Sequence, residues 1–460
     1  MELLLKNKKI SLMLLLLLLF TINSITTAGG ITIEEAIILG LKNNSELQKT
    51  AEKIKTLQRE LALIKAGEDW QMKLTTDYSY PLSNQNNLAL NVSKSYSSGL
   101  MINSGITVRE DALSTPDYSI ALIQRIYPLI PLSSTQQYYT IEQELLKAEE
   151  KLSQEKSTKI VNWLESYLSL VRLFEKKGIY QENRELQLEN LAKIMAKYDI
   201  GDVGAGEIYS AQIRLEEAEY RLKEAELNLA ERKLSLFRAL GLASEQELII
   251  DSQADLITEL SYLPEPLKKE ELLITEFMTV IEQNNYQLIS NRIDQALLQQ
   301  ELEWLEKEAG LTLNMESNYA SIKEELTLAL KLSYQLYDGG QHRLKSEEKR
   351  KEIELKKVDY QDLMTQLEVE LRQLINQVEL SQARLRQEEL KVAERIYREK
   401  TAWEQYQLGL IKKSEYQEFS LQRKEAENNL QVFQDQFLID KIELSAFIEN
   451  DNLLGGFAHE

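Results

Sequence analysis

Tyr198-Asp199-Ile200-Gly201 and Tyr406-Gln407-Leu408-Gly409 are two copies of one short phrase, Tyr-x-x-Gly, and each interrupts a long helical segment. The chain has no proline at positions 132–263 and none after position 266. Since proline breaks helices, both segments can greatly exceed the usual ~11–12 residues. The repeated phrase therefore predicts an internal duplication built on two long helical hairpins.

The helix after the first phrase carries a heptad pattern. Its leucine row is Ile208, Leu215, Leu222, Leu229 and Leu236, and its alanine row is Ala211, Ala218, Ala225 and Ala239. Rows of this kind are typical of close coiled-coil packing. Tryptophans Trp163, Trp304 and Trp403 also lie on predicted helices, where we expect them to be buried.

Each half has the same predicted order of helix, strands, long helix, break and helix. The first repeat spans 29–253, with strands at about 70–127 and a hairpin at 133–242. A linker at 254–271 leads to the second repeat, 272–448, with strands at about 311–337 and a hairpin at 341–448; a tail covers 449–460. Apolar residues alternate with polar ones in both strand regions, which predicts β structure. The first strand region has about 30 residues beyond its counterpart.

Residues 1–28 are typical of a signal peptide. Three lysines precede an apolar core with six consecutive leucines, and small residues follow at 26–28. The alternative is an uncleaved anchor, but the apolar core is shorter than the ~20 residues that span a bilayer. The chain has no cysteine, which excludes disulfides, thiolate metal sites and a cysteine-linked lipid anchor.

Composition and motifs argue against several functions. The net charge of −20 is opposite to the basic surface that nucleic-acid binding needs. The two histidines, His342 and His459, lack companions at metal-ligand spacing, and there is no phosphate loop, nucleophile elbow or zinc motif. We therefore expect no enzyme activity, no cofactor and no metal.

The layout closely resembles the TolC-like outer-membrane efflux proteins over essentially the whole mature chain. Besides the paired breaks, the resemblance rests on Ile31-Thr32-Ile33-Glu34-Glu35-Ala36, Leu41-Lys42-Asn43-Asn44-Ser45-Glu46-Leu47, Arg238-Ala239-Leu240-Gly241-Leu242 and Leu336-Tyr337-Asp338-Gly339-Gly340. It implies a mainly α fold with a small β part. Duplicated long helical hairpins from three chains would form an α-barrel in the periplasm, capped by a transmembrane β-barrel in the outer-membrane lipid.

In such a tube, four strands from each of three chains would give twelve. The longer first strand region departs from that pattern and implies either an extra hairpin or a long external loop. By resemblance the homotrimer would be the exit duct of a tripartite efflux pump or type I secretion system. Its partners would be a periplasmic adaptor and an inner-membrane pump or ABC exporter.

The resemblance also assigns the site residues. The hairpin tips that dock the adaptor would contain Tyr198, Gly201, Val203, Tyr406, Gly409, Leu410 and Ile411. Aperture carboxylates would be Glu415 and Glu418, with Glu207 as the match of Glu415 in the first half. The simpler interpretations are an ordinary glycine turn and solvated glutamates.

Two other classes of protein remain as alternatives. A periplasmic adaptor predicts one hairpin flanked by glycine-rich β domains, whereas this sequence predicts two hairpins. A structural coiled coil of the cell envelope would not need the alternating strands.

Overall fold

The structure is a computed structural model that describes residues 32–77, 87–109, 115–242, 270–322 and 324–449. The predicted signal peptide, most of the predicted linker and nearly all of the predicted tail lie outside these ranges. Where the linker was expected to continue to residue 271, a helix already begins at Glu270.

The described chain is mainly helical with a small β part, which confirms that expectation. Its helices are α1 (Ile33–Asn43), α2 (Ser45–Glu68), α3 (Ser133–Asp199), α4 (Ala205–Leu240), α5 (Glu270–Asn284), α6 (Tyr286–Glu308), α7 (Gln341–Gln407) and α8 (Lys413–Glu449). Its strands are β1 (Gln71–Asp77), β2 (Asn87–Ser95), β3 (Leu100–Arg109), β4 (Asp117–Tyr127), β5 (Thr312–Ala320) and β6 (Glu325–Ser333). Within the described ranges, no helix is both long and apolar enough to cross a bilayer.

The six strands form one antiparallel sheet in the order β1-β2-β3-β4-β5-β6. Four strands come from the first half and two from the second, so the surplus in the first half includes an extra hairpin. Of the two alternatives for the longer first strand region, an extra hairpin or a long external loop, the described residues show the extra hairpin, so the chain departs from the pattern of four strands per chain. Alternation continues to Tyr337, but β6 ends at Ser333 because that residue pairs with Thr312, the first residue of β5.

Helices α3 and α7, each 67 residues long, organise the helical layer. At 1.5 Å per residue, each is about 100 Å long. Helices α2 and α4 pack against α3, while α6 and α8 each pack against both α3 and α7. Next to the sheet, the helices therefore lie side by side in the order α2, α3, α6, α7. Further from the sheet, the order is α4, α3, α8, α7.

Equivalent asparagines begin the second helix of each half. The side chain of Asn44 accepts hydrogen bonds from the backbone N–H groups of Glu46 and Leu47 at 3.0 and 3.2 Å. Asn285 does the same for Gln287 and Leu288 at 2.9 and 3.3 Å. A side-chain oxygen that caps an orphan N–H stabilises a helix start, so Asn44 and Asn285 have the same structural role in the two halves.

Each half has its own hydrophobic core. In the first, α1, α3, α4 and α8 bury a cluster around Trp163, Phe237 and Ile442. In the second, α5, α6, α7 and α8 bury a cluster around Ile281, Leu288 and Leu371. Because α8 contributes to both cores, it joins the two repeats.

Candidate functional site: hairpin turns and open faces

The first hairpin turn begins with a glycine directly after Ile200, the C-cap residue of α3. Gly201 has φ +78°, and its N–H donates to the carbonyl of Tyr198 at 2.9 Å. The next N–H, that of Asp202, reaches back to Lys197 at 2.9 Å. These two bonds define a Schellman motif, which needs a left-handed residue and so favours glycine.

The second turn has the same geometry. Gly409 has φ +70° and donates to Tyr406 at 2.9 Å, while Leu410 donates to Gln405 at 2.8 Å. The repeated Tyr-x-x-Gly phrase is therefore the same helix ending in both halves. The hydrogen bonds of both turns join backbone atoms only. The glycine therefore accounts for the turn, whereas the presence of a tyrosine ring has to be explained by the contacts of that ring.

At the second turn, the tyrosine belongs to an aromatic cluster of Trp403, Tyr406 and Tyr416. The ring centroids of Trp403 and Tyr416 are 5.1 Å apart, and those of Tyr406 and Tyr416 are 5.9 Å apart with planes at 13°. Such contacts fix α7 against α8 beside the turn. The matching positions in the first half, Met195 and Ile208, are not aromatic, so the cluster is not repeated.

Trp403 was expected to be buried, and this expectation is wrong. Its side chain is 45 % exposed because the other two rings cover only part of it at the end of the hairpin. In contrast, Trp163 is 2 % exposed and lies in the first core. Helical position alone does not distinguish a core residue from one near a tip.

The most exposed apolar residues at the turns are Ile200 and Leu408, at 79 % and 74 %. The sequence analysis selected neither of them, although each directly precedes the glycine of the repeated phrase. Of the residues it did select, Leu410 is exposed, whereas Val203 and Ile411 are half-buried. An apolar residue at the same place in both copies was the available signal.

The candidate aperture carboxylates lie in the helices that follow the turns. Glu207 and Glu415 are exposed in the first turns of α4 and α8, and Glu418 is half-buried one turn later. Positions three apart lie on one helical face, so Glu415 and Glu418 are neighbours. No group of three or more His, Cys, Asp or Glu side chains suited to a metal occurs among the described residues.

The sheet has one apolar and one polar face. On the apolar face, Leu74 pairs with Leu90, and Leu90 pairs with Ile106. Strand β6 adds a row that is 64–68 % exposed, formed by Leu326, Leu328, Leu330 and Leu332. On the polar face, Lys73 pairs with Asn91, and Asn314 pairs with Lys331. A two-faced sheet whose apolar side is uncovered is unusual in water-soluble proteins.

The outer helices of the layer also carry uncovered apolar stripes. The alanine row of α4 is buried at Ala211, Ala218 and Ala225. The opposite face of α4 has four residues at heptad spacing, each more than half exposed: Ile213, Tyr220, Leu227 and Leu234. Along α7, one stripe of large apolar residues is about half exposed or more: Leu344, Leu355, Val358, Val369 and Leu380.

Solved structures of outer-membrane channels match nearly the whole chain. CusC, whose crystal structures concern transmembrane channel formation, is 12 % identical and matches with a TM-score of 0.63, over 92 % of this chain and 95 % of CusC. The Campylobacter jejuni CmeC outer-membrane channel is 14 % identical with a TM-score of 0.59, over 93 % of this chain and 88 % of CmeC. The open Neisseria gonorrhoeae MtrE outer-membrane channel is 9 % identical with a TM-score of 0.59, over 90 % and 88 %.

Comparison of the sequence alone gives no such match. No protein-family model matches the chain, and neither does any curated protein. At identities of 9–14 %, the likeness to the solved channels concerns the fold. The chain has the fold of the TolC-like outer-membrane channels, and the resemblance predicted from its sequence is confirmed at that level.

Proposed function

We propose that this protein is the outer-membrane exit duct of a tripartite efflux pump, with three copies forming one tube. The observation that carries the proposal is the uncovered apolar face of the sheet beside helices about 100 Å long. Apolar residues outside and polar residues inside suit a strand barrel with lipid around it and water within it. The long hairpins would extend this conduit through the periplasm. The protein itself would conduct passively, with energy supplied by a partner.

The uncovered stripes on α4 and α7 support assembly from several copies. These two helices are the lateral ends of the layer, so α7 of one copy and α4 of the next are the faces left to meet. The exposed apolar rows would then become buried between copies, as interface cores are. A single chain leaves both rows in water, which is costly at about 25 cal/mol per Å² of apolar surface.

The hairpin turns are the proposed docking points for a periplasmic adaptor. Ile200, Leu408 and Leu410 project apolar side chains at the far end of the hairpins, beside the half-buried Val203 and Ile411. Exposed apolar residues at such places often mark protein contacts. Replacing Ile200 and Leu408 with aspartate should abolish efflux while leaving trimer assembly and thermal stability unchanged, since both side chains are exposed. Unchanged efflux would contradict the docking role.

The carboxylates that follow the turns are the proposed aperture. In a trimer, Glu415 and Glu418 would form rings that favour cations, with Glu207 nearby from the first hairpin. The test is block by divalent cations of the purified channel in a planar bilayer, measured for Glu415→Ala and Glu418→Ala. Loss of the block is expected, and an unchanged block would exclude the ring. Lys412→Ala, at the same turn, is the control for general effects of charge.

Cell fractionation tests the proposal as a whole. A heat-resistant trimer in the outer-membrane fraction is the expected result. A soluble periplasmic monomer would overturn it and favour an adaptor or a structural coiled coil. Whether the partner is a pump or an ABC exporter of a type I secretion system is tested by deleting each candidate partner and measuring export.

A further inference from the structure

The two edge strands of the sheet, β1 and β6, have no neighbour on their outer sides within the described residues. Neither edge strand contains proline, and both keep regular alternation over their length. An open edge of this kind is a template for pairing with another chain. In a bilayer, an open edge would leave backbone N–H and C=O groups unsatisfied at a cost of several kcal/mol each.

The number of strands decides what can cover these edges. Because the sheet has six strands and every pairing is antiparallel, β1 and β6 run in opposite directions. The β1 strand of a second copy placed beside β6 therefore continues the antiparallel ladder without interruption. The apolar faces also join, since Met72 and Leu74 on β1 would meet the leucine row of β6. One neighbouring copy can thus cover the β6 edge, and another can cover the β1 edge.

The same lateral order holds in the helical layer. Strand β1 follows α2, which packs against α3 as α4 does. Strand β6 leads into α7 at the other end of the layer. The sheet edges and the apolar stripes of α4 and α7 therefore lie on the same two sides of the molecule, and one contact between copies covers both.

We propose that three copies close an eighteen-stranded barrel through β6–β1 seams, giving a wide outer-membrane mouth that passes large hydrated solutes. The proposal rests on the trimeric channel of the proposed function. With strands ~4.8 Å apart and tilted by ~40°, eighteen strands give a backbone diameter of about 36 Å, against about 24 Å for twelve. After side chains on both walls are subtracted, the lumen is about 25 Å wide rather than about 12 Å. Small folded polypeptides and bulky oligosaccharides are the solute classes that this difference admits.

The absence of cysteine from the chain makes disulfide crosslinking a direct test of the seam. Lys73→Cys on the polar face of β1 is combined in turn with cysteine at each polar-face position of β6: Glu325, Thr327, Ala329, Lys331 and Ser333. These five positions cover β6 from end to end, so no register is missed. Within one copy, β1 and β6 are five strand spacings apart, about 24 Å, far beyond disulfide reach.

Oxidised trimers in native outer membranes should give covalent dimers and trimers for at least one of the five combinations. The control is Lys73→Cys with Asn91→Cys, which are direct partners within one copy and should close without raising the mass. If the control closes and the trimer is intact, yet none of the five combinations joins two copies, the seam is wrong. Disulfide formation between β1 and β6 of one copy would also overturn it. Failure to form any membrane trimer would instead contradict the proposed function.

A labelling experiment tests the width. Asn314→Cys places a single thiol on the polar face near the helical end of β5. In intact trimers, a maleimide polymer of about 9 Å radius applied from outside should label it, since the inferred lumen is about 25 Å wide. Leu328→Cys on the apolar face is the control and should be protected by lipid. If a small maleimide labels Asn314→Cys but the polymer does not, the mouth has the width of the narrower, twelve-stranded barrel.

Discussion

Arg172 on α3 donates two hydrogen bonds to Asp435 on α8, from Nε to Oδ2 at 2.6 Å and from Nη2 to Oδ1 at 3.1 Å. The pair joins the first hairpin to the second across 263 residues of sequence. Arg172 also donates to Glu175 and Gln431, each at 2.9 Å. Burial raises the pKa of Asp435, although the guanidinium of Arg172 opposes that rise. A largely buried, bidentate ion pair therefore joins the two structural repeats.

Removing one partner of this pair should be destabilising. Asp435→Ala removes the bidentate partner of the Arg172 guanidinium and leaves Glu175 as its remaining carboxylate, which should cost about 1–3 kcal/mol because two buried N–H donors lose their acceptor. Lys424→Ala is the control, because the ion pair of Lys424 with Glu182 joins the same helices at an exposed position. An exposed pair typically contributes about 0–1 kcal/mol. Denaturant unfolding measures both variants, and equal losses would contradict the special role of Arg172.

Replacing either of the two turn glycines should destabilise the protein by a similar amount. Gly201→Ala or Gly409→Ala forces a Cβ into the left-handed region, which costs about 1–2 kcal/mol per residue. Gly206 is the matched control, because it lies in the first turn of α4 without a positive φ, and a Cβ added there would have no atom within 4 Å. Gly206→Ala should be neutral or stabilise the helix. Thermal unfolding distinguishes the three, and a neutral Gly409→Ala would exclude the Schellman turn.

Close packing at Gly40 gives a prediction for the first core. A Cβ at this position would lie 2.7 Å from Leu240 Cδ2 and 3.1 Å from the Trp163 ring. Gly40→Ala should therefore destabilise the protein by about 1–3 kcal/mol through overpacking. Gly67→Ala, on α2 with open space around it, is the control and should not destabilise. If Gly40→Ala were as stable as Gly67→Ala, the contact between α1 and the first core would be wrong.

Asp294 on α6 should make stability depend on acid pH. It contacts Lys147 on α3 at 2.7 Å and Lys356 on α7 at 3.1 Å. Burial alone would raise its pKa, but hydrogen bonds from the two lysines outweigh burial and lower the pKa below the usual value. A carboxylate with a lowered folded pKa stabilises the fold above its unfolded pKa of about 3.9, and this contribution is lost as pH falls through the folded value.

Asp294→Asn tests this dependence. The difference in unfolding free energy between wild type and variant should be largest near neutral pH and should shrink below about pH 4. Asp359→Asn, which removes a carboxylate from an exposed position on α7, should show no comparable change. A difference that stays constant down to about pH 2 would mean that the two lysines do not hold Asp294 ionised.

Several features could be predicted from the sequence because they depend on local backbone geometry. The glycine turns and the long helices follow from interactions within about five residues. The duplication made these weak signals recognisable, since Gly201 and Gly409 confirm each other. The apolar residues Ile200 and Leu408 belong to the same phrase, but the sequence analysis did not choose them as candidate site residues. Their exposure depends on where the hairpin ends.

The sequence by itself determined the two hairpins, their turns and the presence of strands, because helix sterics and two-residue alternation act along the chain. Only the tertiary structure decided that the strands of the described residues number six, that their leucines share one uncovered face, and that Arg172 contacts Asp435. Strand pairing and buried ion pairs join residues far apart in sequence. Such contacts are determined by the packing of whole helices and strands, so no local sequence pattern predicts them.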